Sequence, residues 1–246
     1  MSIAYVPSRP AQRRPLRERL PESDGKPMAE TDLHLRSMLY LLDALEEYFR
    51  EEPRVYVTGN IFFYYRDENG KLKRVAPDIF VVKGTEKKER RIYLLEEEGR
   101  VPDLVIELIS RKTKLKDLGL KRLLYANLGV KEYFVFDPLQ EPLSEQLCGF
   151  RLRNKKEYLP MAGSRLHSEV LNLDLAVEHG RLRLFDRRSG EYLRSHKEAE
   201  ADRRAAEAGR HAAEAKTAQE AEARRNAEAE LARLREELSK RKGKQA

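Results

Sequence analysis

A mixed α/β fold, with a central sheet flanked by helices, an antiparallel strand extension and a long C-terminal helix, is predicted by three observations. Strand-like and helix-like segments alternate along the middle of the chain, and the apolar period switches between about 2 and about 3.6 residues. The composition also changes abruptly near His196, to Ala, Glu, Arg and Lys. A chain of 246 residues holds one domain of ordinary size plus an extension. At 40% hydrophobic and 37% charged residues it is too charged for a single globule, so part of it is predicted to be solvated helix or tail.

Residues 1 to 27 hold several prolines and arginines without apolar periodicity and read as an irregular arm that orders only against the core. A helix is predicted from Thr31 to Glu52, because Leu35, Met38, Leu42, Leu45 and Phe49 recur near helical spacing; Thr31 or Asp32 would cap it and Pro53 stops it. Residues 54 to 65 are β-branched and aromatic, and the Asp-Glu-Asn-Gly turn at 67 to 70 joins them to 74 to 83 as a hairpin. A charged segment, 84 to 100, precedes a strand at 103 to 110. A helix from about Leu115 to Leu128 ends at Gly129, and the strand Glu-Tyr-Phe-Val-Phe (132 to 136) is broken by Asp137-Pro138. Short strands at 147 to 153, 156 to 161, 173 to 178 and 181 to 185 are expected to flank the core sheet. Residues 28 to 195 form the predicted core domain.

From about His196 strong helix formers predict one long helix. Its apolar stripe runs through Ala201, Ala205, Ala208, Ala212, Ala215, Gln219, Ala223, Ala227, Leu231, Leu234 and Leu238. The three-and-four spacing, with a run of fours in the middle, fits either a weak coiled coil with a stutter or a solvated single helix.

The net charge of +7 is spread unevenly: residues 28 to 195 carry 30 basic and 28 acidic groups, so any basic surface there has to come from folding. One cysteine, Cys148, excludes an intrachain disulfide, and five scattered histidines lack zinc-site spacing. No run approaches the roughly 18 to 20 apolar residues of a membrane span, and the first residues lack the apolar stretch of a signal peptide. A cytoplasmic protein without a membrane segment is expected.

Two carboxylates carry the chemistry. Glu107 lies in the apolar run Leu-Val-Ile-Glu-Leu-Ile (104 to 109), where a charge is expensive unless paired, and Asp78 ends Arg-Val-Ala-Pro-Asp (74 to 78). A buried ion pair is one partner for Glu107 and a divalent metal another; a second acid on a neighbouring strand end would give a hard cation two oxygen ligands.

The segments Ala-Pro-Asp-Ile-Phe-Val-Val (76 to 82), Pro-Asp-Leu-Val-Ile-Glu-Leu-Ile-Ser (102 to 110), Lys-Asp-Leu-Gly-Leu-Lys-Arg-Leu-Leu-Tyr (116 to 125) and Gly-Val-Lys-Glu-Tyr-Phe-Val-Phe-Asp-Pro (129 to 138) occur in an order that resembles the Uma-type "putative restriction endonuclease" family, a branch of the PD-(D/E)XK nuclease superfamily. The likeness spans roughly residues 20 to 195. It implies a restriction-endonuclease-like core and metal-dependent hydrolysis of DNA phosphodiester bonds. It also implies Mg2+ (or Mn2+) held by Asp78, Glu107 and the backbone carbonyl of Leu108. The superfamily's lysine two residues after the second acid is Ile109 here, a departure; in this branch a lysine on the following helix takes its place, which Lys121 matches. Asp117, Ser110 and His34 are supporting candidates, and Glu22 and Glu30 are weaker candidates for an acid from the first helix region. A homodimer through residues 196 to 246 would bring two sites to one duplex.

Two other readings stay open on the residues. Ile109 is compatible with a catalytically inactive nuclease fold that binds nucleic acid or acts as a scaffold, and the tail could itself be the functional element. Asp117 with Lys121 could be an ordinary helical ion pair, His34 a helix-surface residue, and Tyr125 and Tyr133 core aromatics.

Overall fold

The computed structural model describes residues 15–23, 25, 31–109, 116–139, 145–154 and 157–242, the side chains of 116–117 and 236–242 excepted. Two compact units result, residues 1–195 and 196–246.

In the first unit a short helix α1 (Leu16–Arg19) precedes α2 (Asp32–Tyr48). The Thr31 hydroxyl caps α2 by accepting from the backbone N–H of His34, which fixes His34 in the first turn. Strands β1 (Val55–Thr58), β2 (Phe63–Arg66), β3 (Leu72–Val75) and β4 (Ile79–Lys83) follow. The long hairpin expected from 54 to 83 is thus broken in both arms. Its inner halves, β2 and β3, pair around the Asp67–Gly70 turn, while its outer halves, β1 and β4, pair in a different sheet. The breaks fall at Gly59-Asn60, where Asn60 has φ 56°, and at Pro77, which has no N–H for a ladder.

The charged stretch from 84 to 100 is a second correction to a reading by composition. It contains β5 (Tyr93–Leu94), wholly buried, and the single turn α3 (Leu95–Glu98). Its charges are consumed locally: Arg90, with no exposed side-chain surface, is held by both oxygens of Glu98, and Arg17 of α1 reaches the same carboxylate. Two arginines therefore hold the Glu98 carboxyl near 2, well below its ordinary 4.5, against the opposing effect of burial.

Next come β6 (Leu104–Leu108), a π-helical turn (Lys116–Lys121), α4 (Arg122–Leu128) and β7 (Glu132–Phe136). The helix expected from about Leu115 is regular only from Arg122, because Lys116–Lys121 form a wider π turn; Leu115 itself lies outside the described residues. Gly129, at φ 87°, ends α4 in the left-handed conformation. Strands β8 (Leu147–Arg153), β9 (Glu157–Pro160), β10 (Arg165–Ser168), β11 (Leu173–Glu178), β12 (Arg181–Asp186) and β13 (Glu191–Tyr192) complete the unit.

The central sheet has the order β1-β4-β6-β7-β8-β9. Only β6 and β7 pair in parallel, joined by the π turn and α4, so the sheet is mixed. The antiparallel extension divides in two: β8 and β9 continue the central sheet, whereas β10 to β13 make a separate four-stranded sheet. That second sheet and α2 cover one face of the centre, through Leu41, Leu45 and Leu175 against Ile79, Leu104, Ile106 and Phe134. The π turn with α4 and the β3-β2-β5 sheet cover the other, through Tyr125, Tyr93 and Phe63 against Phe80, Val105 and Tyr133. Burial on both faces explains why β4, β6 and β7 read as continuous apolar runs rather than alternating ones.

The second unit is one helix, α5 (His196–Lys242), whose side chains are half-buried at Glu198 and Glu200 and exposed from Ala201 to Arg235. Successive i,i+4 pairs, such as Arg203 with Glu207 and Arg224 with Glu228, support it along its length.

Candidate active site

The strand register dictates where the two acids meet. Ile79 faces Ile106 and Val81 faces Leu104 across the antiparallel β4–β6 pair, so Asp78 falls opposite Glu107. Alternation along β6 puts Glu107 on the same face as Val105 and Ile109, toward α4. The Asp78 carboxylate accepts the backbone N–H of Leu108 at 2.7 Å, a bond that pins the acid to the end of β6. An extended residue turns its N–H and C=O to the same edge, so the Leu108 carbonyl also faces the β4 side.

Glu107 is 1% exposed and both its oxygens are engaged. The Tyr125 hydroxyl donates to Oε1 at 2.7 Å, and the Lys121 ammonium lies 2.8 Å from Oε2. Lys121 and Tyr125 are four residues apart, one closing the π turn and the other on the following α4, and this spacing lets them grip one carboxylate side by side. Burial pushes the Glu107 carboxyl up to about 8; Lys121 opposes that rise and the nearby Asp78 charge adds to it. The Tyr125 hydroxyl is raised well above its ordinary value, by burial first and by Glu107 second, so it remains a donor.

His34 joins from α2, with Nε2 3.5 Å from Asp78 Oδ1. The structure therefore brings Asp78, Glu107, Leu108, Lys121 and His34 together. Ser110 and Glu30 lie outside the described residues, as does the side chain of Asp117. Glu22 is elsewhere, paired with Arg91. Ile109 is 3% exposed within the apolar cluster of Val105, Tyr125 and Val135, a setting that suits a hydrocarbon; the positive charge reaches Glu107 from the helix instead. Tyr125 is the residue that sequence reading assigned to the core alone. Its four-residue distance from Lys121 was the available signal, though that signal is weak without knowing which face the helix turns to Glu107.

Gly59 fixes the approach of the chain to Asp78. A Cβ at this position would sit 1.9 Å from the Asp78 carbonyl oxygen, and the next residue, Asn60, donates its N–H to the Pro77 carbonyl at 2.8 Å. Gly59→Ala is accordingly expected to cost about 1–3 kcal/mol of stability by forcing these two segments apart. An unchanged denaturation midpoint would contradict this account of the close approach.

Among the described residues no group of three or more His, Cys, Asp and Glu is gathered as a metal cluster. The donors at the strand ends are instead two carboxylates and a backbone carbonyl, hard oxygens of the kind a small divalent cation takes while keeping several waters. The raised Glu107 carboxyl shows that Lys121 alone does not fully offset burial beside a second acid, so the site fits an added positive charge.

Curated proteins give no match to the chain. Among solved structures, a putative nuclease from Anabaena variabilis aligns at 16% identity with a TM-score of 0.44, covering 62% of this chain and 86% of that one. The family model "Uma2: Putative restriction endonuclease" matches residues 12–202, a span that contains every strand among the described residues, the π turn and the whole of the site just described. By that match the chain belongs to the Uma2 family of putative restriction endonucleases.

Proposed function

We propose that the protein is a metal-dependent endonuclease that hydrolyses DNA phosphodiester bonds at Asp78, Glu107 and Lys121. The observation that carries the reading is the opposition of Asp78 and Glu107 across β4 and β6 with Lys121 in contact with Glu107. Asp78, Glu107 and the Leu108 carbonyl would hold Mg2+ (or Mn2+). When bound, the cation supplies Lewis-acid polarisation of the phosphodiester and lowers the pKa of a water. Lys121, whose side chain retains 13% exposure, can turn from Glu107 to the scissile phosphate or to the attacking water. Tyr125 keeps one oxygen of Glu107 fixed while the other changes partner, and His34 does the corresponding service for Asp78. Asp117 and Ser110 are assigned supporting roles.

No helix among the described residues is long and apolar enough to cross a membrane. With a single cysteine, a reducing cytoplasm is the compartment we assign. Since both strands of a duplex must be cut, we further infer a homodimer, held through residues 196 to 246.

Plasmid cleavage is the test. Supercoiled DNA incubated with the intact protein should be nicked or linearised with Mg2+ or Mn2+ and left whole with a chelator. DNA binding without cleavage under either cation would overturn the enzyme reading in favour of a binding module that keeps the fold alone.

A further inference from the structure

We propose that α5 pairs with α5 of a second copy of the chain, parallel and in register, through its leucine-bearing end. The proposal rests on the dimeric reading above and gives it an orientation and a set of contacts. Along most of α5 the apolar stripe is alanine, which buries little area and specifies no partner. The end differs. Leu231 and Leu234 are 54% and 52% exposed, and Leu238 follows four residues later on the same stripe. Large apolar side chains left at this exposure on one face of a lone helix are a seam without its second half.

The charges flanking that seam choose the occupant and its direction. With Leu231 and Leu238 at heptad position a and Leu234 at d, positions g are Glu230 and Glu237, and positions e are Arg235 and Lys242. In a parallel, in-register pair each g residue meets the e residue five positions later on the partner helix. Glu230 then faces Arg235 of the partner subunit and Glu237 faces Lys242 of the partner subunit, both attractive, and symmetry repeats them. An antiparallel pair would set glutamate against glutamate and base against base. Upstream charges serve the helix itself, in the i,i+4 pairs of Arg204 with Glu200, Arg210 with Glu214 and Lys216 with Glu220. The alanine stretch can then close around the same axis once the leucine end has set the register.

The intact chain should show a concentration-dependent mass rising from 28.7 kDa toward twice that value in sedimentation equilibrium. Leu234→Lys should return it to the monomer mass with its circular dichroism from the core retained. For direction, Ala208→Cys and Leu238→Cys are placed one at a time in a Cys148→Ser background and oxidised. A parallel, in-register pair lets both variants crosslink to themselves, because every seam residue meets its own copy. An antiparallel pair brings only residues near its symmetry axis together, so at most one of two positions thirty residues apart can crosslink. A monomer at every concentration, a Leu234→Lys variant that stays dimeric, or crosslinking at one position alone would each overturn the proposal. None of these readouts uses DNA. A dimer without cleavage counts against the nuclease reading only, and a cleaving monomer against the pairing only.

Discussion

Replacing Glu107 by glutamine is expected to remove metal-dependent DNA cleavage while leaving the fold as stable as before or more so. A cation-stabilised transition state is worth several kcal/mol, and each 1.36 kcal/mol is tenfold in rate, so the expected loss is roughly two to four decades. Stability moves the other way because the wild-type carboxyl is raised from 4.5 to about 8. A carboxyl raised on folding contributes its full stability below 4.5, loses it progressively between 4.5 and about 8, and has lost it above. Glutamine does not ionise, so the metal-free variant should gain on the wild type across that window. It can still satisfy both neighbours, turning its oxygen to Lys121 and its amide to the Tyr125 hydroxyl. Melting temperatures at the two ends of the window, in chelator, check this; an identical pH response in the two proteins would show that Glu107 carries no such burden. Asp78→Ala should abolish cleavage equally but also cost about 1–3 kcal/mol, since it strands the Leu108 N–H that Asp78 accepts.

Why one strand acid reads as a site and another does not is visible only in three dimensions. Glu132, at the start of β7, is as buried as Glu107, at 1% exposure. It too stands in an apolar strand, and the argument from the cost of a buried charge applies to it equally. Its partners are structural: Arg151 at 3.0 Å, the Ser168 hydroxyl, and the backbone N–H groups of Glu169 and Val170, which tie the central sheet to the loop after β10. Sequence separated the two acids through the order of motifs around Glu107, and not through any property of the residue itself. The elements were legible where they were long and apolar, as with α2, β6, β7 and β8. They were obscured where a tight backbone approach decided the path. Nothing in the β-branched run of 54 to 65 announces that Gly59 must pass against Asp78, and β5 hides among charges of which Glu98 is held by Arg90 of the same stretch and by Arg17 of α1. Likewise the pairing of His34 with Asp78 needed the packing of α2 on the sheet, which no spacing encodes.

Lys121→Met is expected to damage activity and stability together, and the stability loss should vanish when Glu107→Gln is added. Methionine keeps the length of the side chain and removes its charge, leaving Glu107 buried with the Tyr125 hydroxyl donating to it and with Asp78 near it. Breaking a buried pair from one side costs up to about 3–5 kcal/mol when the remaining charge cannot escape. Here it can escape by taking up a proton, since removing Lys121 removes the influence that opposes the rise of the Glu107 carboxyl. The cost is therefore bounded by protonation: small near pH 4.5, where the carboxyl is neutral when folded and half-protonated when unfolded, and growing as pH rises past the wild-type value of about 8. In the double variant no charge is left to neutralise, so denaturant midpoints measured as a double-mutant cycle should yield a coupling near zero in acid, still small at about pH 8, and rising toward about 1–3 kcal/mol at more alkaline pH. Strict additivity at both ends of the range would mean that Lys121 points to solvent in solution and does not serve Glu107. Cleavage discriminates further: the single Lys121→Met variant should still bind the cation at Asp78 and Glu107, and bind it more tightly because the competing ammonium is gone, while turning over slowly. Tight cation binding with lost turnover is the signature of a group that acts on the phosphate or the water, and a merely structural lysine would lose both or neither.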